Sequence, residues 1–389
     1  MTTPFVSFET FGNIIDGKFA ESATTKGTVN LATLEQNAEV PLSTVDDVNR
    51  AVQAAQRAAK LWAEVSWDDR KAALERFTQA LEEHKDGFAQ MLNREQGKPI
   101  FWAHHEIGTA LQFLRGFCRL SLAEETIEDT PRGKITTRYT PLGVVAGITP
   151  WNYPVLLACS KIGPALLTGN SFILKPSPFT PYCGLKLAEL GTRFFPPGVF
   201  QALSGDDELG YSLISHPDVS MVSLTGSVDT GRKVMAACTP AFKRVTLELS
   251  GNDAAIVCGD VDAATMAEKI ALFAFCNSGQ ICTAMKRVYV HESIYDTLFP
   301  VLVQIVEAEG RKLQAGDEQT MLSPLTHEAH FERTRRLFES IENENLTVAT
   351  GSTRPLTDRK GFFFLPTVVF HSPVMNLVDR SYPRFPVPR

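Results

Sequence analysis

Val144-Val145-Ala146-Gly147-Ile148, set between Pro141 and Pro150, is the first of five short apolar runs whose spacing decides the fold. The others are Ser171 to Leu174, Val199 to Leu203, Val219 to Leu224 and Val245 to Leu249. Runs this short, rich in β-branched residues and bounded by turn residues, read as buried strands. The segments between them, Pro154 to Leu167, Pro181 to Thr192, Glu208 to Ser215 and Val228 to Ala237, are long enough for crossover helices. Strands and helices in alternation predict an α/β fold, a parallel sheet covered by helices on both faces.

Upstream of this core, Ser43 to Trp62 reads as a helix. Ser43 and Asp46 can form a capping box, and Val48, Ala51, Val52, Ala55, Ala59 and Trp62 recur at helical spacing. A second helix runs from about Asp68, with Leu74, Phe77 and Leu81 inward, to a stop at Gly97 and Pro99. Thr126 to Thr140 is polar and alternating around Pro131-Arg132-Gly133, the pattern of a projecting hairpin. Downstream, a strand at Ala254 to Val257, an apolar helix at Ala263 to Phe275 and a strand at Arg287 to Val290 suggest a second α/β region, with a boundary near Ser250 to Asn252.

The 389 residues carry a formal charge of −6, 44% hydrophobic and 21% charged residues. This is ordinary globular usage, with room for two or three domains. The basic residues are scattered, which argues against a nucleic-acid partner, and no run approaches a membrane span or a secretory leader. The expectation is a cytoplasmic protein. Seven cysteines without a Cys-x-x-Cys pair indicate neither a disulfide framework nor a zinc site, and the histidines lack a ligand set of recognised spacing, so no metal is expected.

Three segments carry candidate chemistry. Phe275-Cys276-Asn277-Ser278-Gly279-Gln280-Ile281-Cys282 ends an apolar helix in a small-residue turn. A free cysteine is usually a small buried hydrophobe, but Gly279 opens space beside Cys282 for a ligand to reach the thiol. In Val245-Thr246-Leu247-Glu248-Leu249 one carboxylate interrupts an apolar strand. Burying it is costly unless it has a partner, an exposed strand end or a role as general base. Asn152, between two prolines in Pro150-Trp151-Asn152-Tyr153-Pro154, can donate from a rigid turn to a developing oxyanion; alone it would read as a turn residue. No Gly-x-Gly occurs, which disfavours the ordinary dinucleotide fingerprint. Thr225-Gly226-Ser227-Val228-Asp229-Thr230-Gly231 instead places Gly and Ser where a strand meets a helix, a weaker signal for a pyrophosphate site.

Taken in order, Asn152 in Pro-Trp-Asn-Tyr-Pro, Lys175 in Lys-Pro-Ser, the Gly226-Ser227 to Gly231 turn, Glu248 in Leu-Glu-Leu-Ser-Gly and Cys282 after Gly-Gln-Ile resemble the motifs of the aldehyde dehydrogenase superfamily. The resemblance runs from about Phe19 to Asp379 and includes Glu95-Gln96-Gly97-Lys98-Pro99 and Gly361-Phe362-Phe363. It implies that Cys282 attacks an aldehyde, that Asn152 and the Cys282 backbone N–H hold the oxyanion, that hydride passes to NAD or NADP, and that Glu248 activates the water that releases an acid from the thioester. It further implies cofactor contacts from Thr149, Trp151, Lys175, Ser177, Gly205, Gly226, Ser227, Gly231 and Leu249. Tyr153, Leu157, Ser160, Cys276, Ile281 and Thr283 would border an uncharged substrate tunnel, suited to aromatic or aliphatic aldehydes.

The resemblance also divides the chain: residues 1–119 and 141–250 as cofactor domain, 120–140 as oligomerisation hairpin and 251–379 as catalytic domain. Several positions depart from the family pattern. Pro178 stands where a Glu usually holds the adenosine ribose, which opens the site to NADP; Leu224, Val228 and Ser250 also differ. Family members continue past Asp379 with a Glu-x-Phe-Gly-Pro motif, whereas this chain runs into a proline and arginine tail over residues 380–389 that reads as disordered. The catalytic domain is therefore expected to be incomplete, and the family's homo-oligomer to lose a pairing strand. Two alternatives stay open: a truncated, inactive paralogue that binds without turnover, and a cysteine hydrolase or acyltransferase without redox chemistry.

Overall fold

In the computed structural model, residues 6–358 and 360–370 are described; residues 371–379 of the expected catalytic domain and the 380–389 tail lie outside them. The chain divides into two compact units. Of the described residues, the first comprises 6–28, 36–95 and 103–249, the second 29–35, 96–102, 250–358 and 360–370.

The first unit is built on a seven-stranded sheet. Five strands are parallel: Val144–Ile148, Ser171–Lys175, Phe200–Ala202, Met221–Gly226 and Arg244–Leu249. The chain steps outward from Val144–Ile148 through Ser171–Lys175 to Phe200–Ala202, then returns to place Met221–Gly226 on the other side of the first strand. That reversal leaves a crevice at the carboxyl ends of Val144–Ile148 and Met221–Gly226, where open α/β sheets bind ligands. The sheet is not wholly parallel. Asn13–Ile15 and Lys18–Ala20, a hairpin that the apolar runs did not announce, pair antiparallel beyond Phe200–Ala202.

Alternation assigns the faces. Val144, Ala146, Ile173, Val222 and Leu224 pack with Val48, Ala51, Val52 and Ala55 of helix Val45–Glu64, Leu209 and Leu213 of helix Asp207–Ser215, and Val234 of helix Val228–Cys238. Helices Pro154–Leu167 and Tyr182–Gly191 pack together and against helix Trp67–Glu83. Two expected details shift. The capping box of the first helix is Thr44 with Asp47, whose side chains exchange bonds with each other's backbone N–H, rather than Ser43 with Asp46. The expected second helix is two, Trp67–Glu83 and Lys85–Gln96, with the ring of His84 turned back to the Ala80 carbonyl at the break. Helix Ile100–Cys118 follows, and Glu125–Thr130 and Gly133–Thr137 form the expected hairpin, almost wholly exposed.

In the second unit, the short parallel pair Ala254–Val257 and Arg287–Val290 packs on helices Ala263–Phe275 and Glu292–Ala315 through Val257, Ile270, Leu298 and Val306. Helix Glu328–Asn343 and the antiparallel pair Thr347–Thr350 and Val368–Phe370 complete the described part.

Candidate active site

Nearly every cofactor position expected in the first unit lies at the carboxyl end of a parallel strand. Thr149 follows Val144–Ile148, Ser177 follows the strand that ends in Lys175, Gly205 follows Phe200–Ala202, Ser227 follows the strand that ends in Gly226, and Leu249 closes the last strand. Leu224 pairs with Ile148, so Thr225 and Thr149 leave the two central strands side by side. Both hydroxyls are buried and have no hydrogen-bond partner among the described residues. An unsatisfied buried hydroxyl costs about 1–3 kcal/mol, and a pair at a sheet reversal is what a polar ligand would satisfy.

The turn after Met221–Gly226 leads straight into a helix. Ser227 caps helix Val228–Cys238, its Oγ accepting from Thr230 N–H at 3.1 Å, and the first amides of that helix lie beside it. Gly231 lets the helix approach the neighbouring strand: a Cβ there would lie 2.8 Å from Leu249 Cδ2. Lys175 is buried, its ammonium pushed down to about 8 by burial against the opposing pull of Asp207 and Asp206 at the start of helix Asp207–Ser215. Ser177 Oγ accepts from Phe179 N–H, holding the turn in which Pro178 sits.

Asn152 occupies the turn before helix Pro154–Leu167, and its Oδ1 accepts from Tyr153 N–H at 3.0 Å, which sets the plane of the amide. Trp151 is half-buried in the same turn. Tyr153, Leu157 and Ser160 follow at helical spacing; all three are half-buried, whereas Val155, Ala158 and Cys159 between them are buried. This helix thus keeps one uncharged stripe open.

Glu248 corrects an expectation. The strand Arg244–Leu249 is the edge of the sheet and alternates between exposed and half-buried residues; Glu248 lies on its exposed face. A carboxylate there bears little desolvation cost, so its burial is no argument for its role.

Two residues of this end of the sheet escaped the sequence reading. Lys161 is buried in helix Pro154–Leu167, donates to Ser223 Oγ at 3.1 Å, and is held down to about 8 by burial, with the charge of Glu248 pulling the other way. A lone cation in an apolar helix is the same signal that singled out Glu248. Glu106, fully buried in helix Ile100–Cys118, accepts from Val155 and Leu156 N–H and so caps the helix behind Asn152. No local pattern announces a cap lent from so far away in sequence.

The second unit holds the thiol segment. Asn277, Ser278 and Gly279 all take positive φ, a left-handed turn after helix Ala263–Phe275. Two consecutive non-glycine residues in this region are strained and need outside support. Gln280 supplies it: its buried Nε2 donates to Asn277 O, Ser323 Oγ and Pro324 O, and its Oε1 accepts from Thr326 N–H. Cys276 is buried, Cys282 and Ile281 are half-buried and Thr283 is exposed, so of the two candidate thiols Cys282 is the accessible one. Among the described residues, no group of three His, Cys, Asp or Glu side chains could hold a metal ion, and no helix is long and apolar enough to cross a membrane.

The model of the aldehyde dehydrogenase family matches residues 19–380. The chain belongs to the aldehyde dehydrogenase family. It is 39% identical over 380 residues to aldehyde dehydrogenase LUC3 of Fusarium sp, covering 97% of this chain and 79% of that one. The putative aldehyde dehydrogenase FUS7 of Gibberella fujikuroi is 37% identical over 369 residues, with 95% and 77% covered. Among solved structures, an NADP-dependent enzyme of E. coli is similar at TM-score 0.88 and 30% identity, covering 94% of this aldehyde dehydrogenase and 77% of that chain. A point mutant of betaine aldehyde dehydrogenase from Staphylococcus aureus in complex with NAD+ is similar at TM-score 0.88 and 28% identity, with 94% and 77% covered. The family acts on small-molecule aldehydes as an oxidoreductase, and its α/β architecture is the one observed.

Proposed function

We propose that this aldehyde dehydrogenase oxidises an uncharged aldehyde to a carboxylic acid through a covalent intermediate on Cys282, with NAD or NADP bound at the sheet reversal of the first unit. The observation that carries the cofactor reading is the pair of buried, unpartnered hydroxyls of Thr149 and Thr225, beside the Ser227-capped helix and the Gly231 close approach. Lys175 and Ser177 would hold the adenosine ribose, Gly226 and Ser227 the pyrophosphate, and Thr149, Trp151, Gly205 and Leu249 the remaining surface. When bound, the nicotinamide supplies the acceptor for one hydride.

The chain's own residues do the rest. The Cys282 thiolate adds to the carbonyl carbon, and the oxyanion that forms accepts from the Asn152 amide and the Cys282 backbone N–H. Loss of hydride from the thiohemiacetal leaves a thioester. Glu248, exposed on its edge strand, takes a proton from water as that water attacks the thioester; the acid leaves and the thiolate is restored. Tyr153, Leu157 and Ser160 in the first unit and Cys276, Ile281 and Thr283 in the second would offer the aldehyde uncharged side chains only, which favours an aliphatic or aromatic chain.

The test is a panel of uncharged aldehydes mixed with purified protein and NAD or NADP, followed at the absorbance of the reduced nicotinamide. Formation of reduced cofactor that Cys282→Ala abolishes supports the reading. Folded protein without hydride transfer across the panel would support a binding protein without turnover, and cofactor-independent ester cleavage alone would support a hydrolase.

A further inference from the structure

The strand Arg287–Val290 is reached from Cys282 through a tight loop whose ends are tied to the segment Gly251 to Asp253. Arg287 N–H donates to Asp253 O at 3.2 Å and Arg287 Nε to Asn252 O at 2.8 Å. A Cβ on Gly251 would lie 3.0 Å from the Cys282 carbonyl oxygen, so backbone packs on backbone here. Into this corner Lys286 sends its ammonium. Nζ donates to Gly251 O at 3.0 Å and to Ile281 O at 3.2 Å. Ile281 O also accepts from Ala284 N–H at 3.3 Å, so this one carbonyl is gripped by two donors, one of them cationic.

That carbonyl belongs to the peptide unit whose other end is the Cys282 N–H. The unit is planar, so fixing its oxygen fixes the direction of the N–H. A charged donor on the oxygen also polarises the amide, which strengthens the hydrogen bond that its N–H can give. We propose that Lys286 is the positioning residue of the Cys282 oxyanion site, orienting and polarising the Ile281–Cys282 peptide through its bond to Ile281 O. The proposal rests on the assignment of Cys282 as nucleophile.

The charge of Cys282 is felt at Lys286, so the two groups are coupled. Burial pushes the Lys286 ammonium down, while Asp253 and Cys282 pull it up. Arg287 follows Lys286 in the chain, and His330 on helix Glu328–Asn343 feels the charges of Lys286, His327 and Arg333. Burial holds His330 down to about 4 and lowers His327 as well, so neither ring gains a proton in the range where a thiol titrates. A change in the thiol's pH profile on altering Lys286 therefore reads Lys286 itself.

The experiment compares wild type, Lys286→Met and Lys286→Gln by three measurements: single-turnover hydride transfer, the pH profile of Cys282 alkylation by iodoacetamide, and thermal unfolding. Loss of a direct oxyanion donor costs about 100-fold or more, so loss of a group acting through that donor should slow hydride transfer about tenfold in Lys286→Met, with KM nearly unchanged. The midpoint of alkylation should move up by about half a unit or more in the same variant. Lys286→Gln, which keeps a donor but no charge, should recover part of the rate and little of the midpoint. A hydride-transfer rate within twofold of wild type and an unmoved midpoint would overturn the proposal, as would a change confined to thermal unfolding. Undiminished hydride transfer in Cys282→Ala would instead remove the nucleophile assignment, and this proposal with it.

Discussion

Lys161 shows how one side chain links stability to the site. Its ammonium is held down to about 8 because the folded chain buries it, so folding expels a proton between about pH 8 and the ordinary lysine range. The sign follows: the folded state is penalised while Lys161 must be charged, at lower pH, and the penalty fades as pH rises through that window. Lys161→Met should therefore be more stable than wild type at pH 7, by on the order of 1–2 kcal/mol, with the difference shrinking towards pH 10.5. Urea unfolding of both proteins at pH 7 and pH 10 checks this; a constant difference would contradict it. At Glu248 the expectation concerns kinetics: Glu248→Gln should give one burst of reduced cofactor and then stall, because only release of the thioester needs the base. Equal loss of burst and turnover would refute that division of labour. Pro178→Glu should restore a carboxylate to the ribose end and shift preference from NADP towards NAD, read as the ratio of the two Kd values.

Helix Val228–Cys238 lies against strand Arg244–Leu249 only because Gly231 has no side chain. Gly231→Val should press on Leu249, displace the Ser227 end of the helix and cost roughly 1–3 kcal/mol, with weaker cofactor binding measured by calorimetry. Binding equal to wild type would separate this helix from the cofactor. Elements of this kind were the most legible from sequence. Helix Pro154–Leu167 and the strand Val144–Ile148 match their expected bounds because proline and glycine punctuate both ends. What sequence could not place was position within the sheet. Val245 to Leu249 reads as a buried strand from its apolar residues, and only the sheet order shows it to be the edge, with Glu248 exposed. The N-terminal hairpin escaped for a related reason: three-residue strands carry no period to detect. Cap residues were off by one, since Ser43 and Thr44 are equivalent by chemistry and differ only in backbone geometry.

At the scale of the whole molecule, the family, the α/β class and the order of the motifs were legible, because five short motifs keep their sequence order between Pro150 and Cys282. The two stretches 29–35 and 96–102, which cluster with the second unit, were not, since nothing in their composition marks the crossing. The expected cofactor contacts all fall within the first unit, and Cys282 in the second. NAD or NADP at about 100 times its Kd should thus add about 2.7 kcal/mol to the stability of the state that binds it, and Cys282→Ala should keep that gain while losing turnover. The most direct test of the account is a rapid-mixing experiment with an uncharged aldehyde and saturating cofactor, in which reduced nicotinamide is counted per chain. Wild type is expected to form at least one equivalent in the first turnover and Cys282→Ala none; an undiminished first equivalent without the Cys282 thiol would contradict the account.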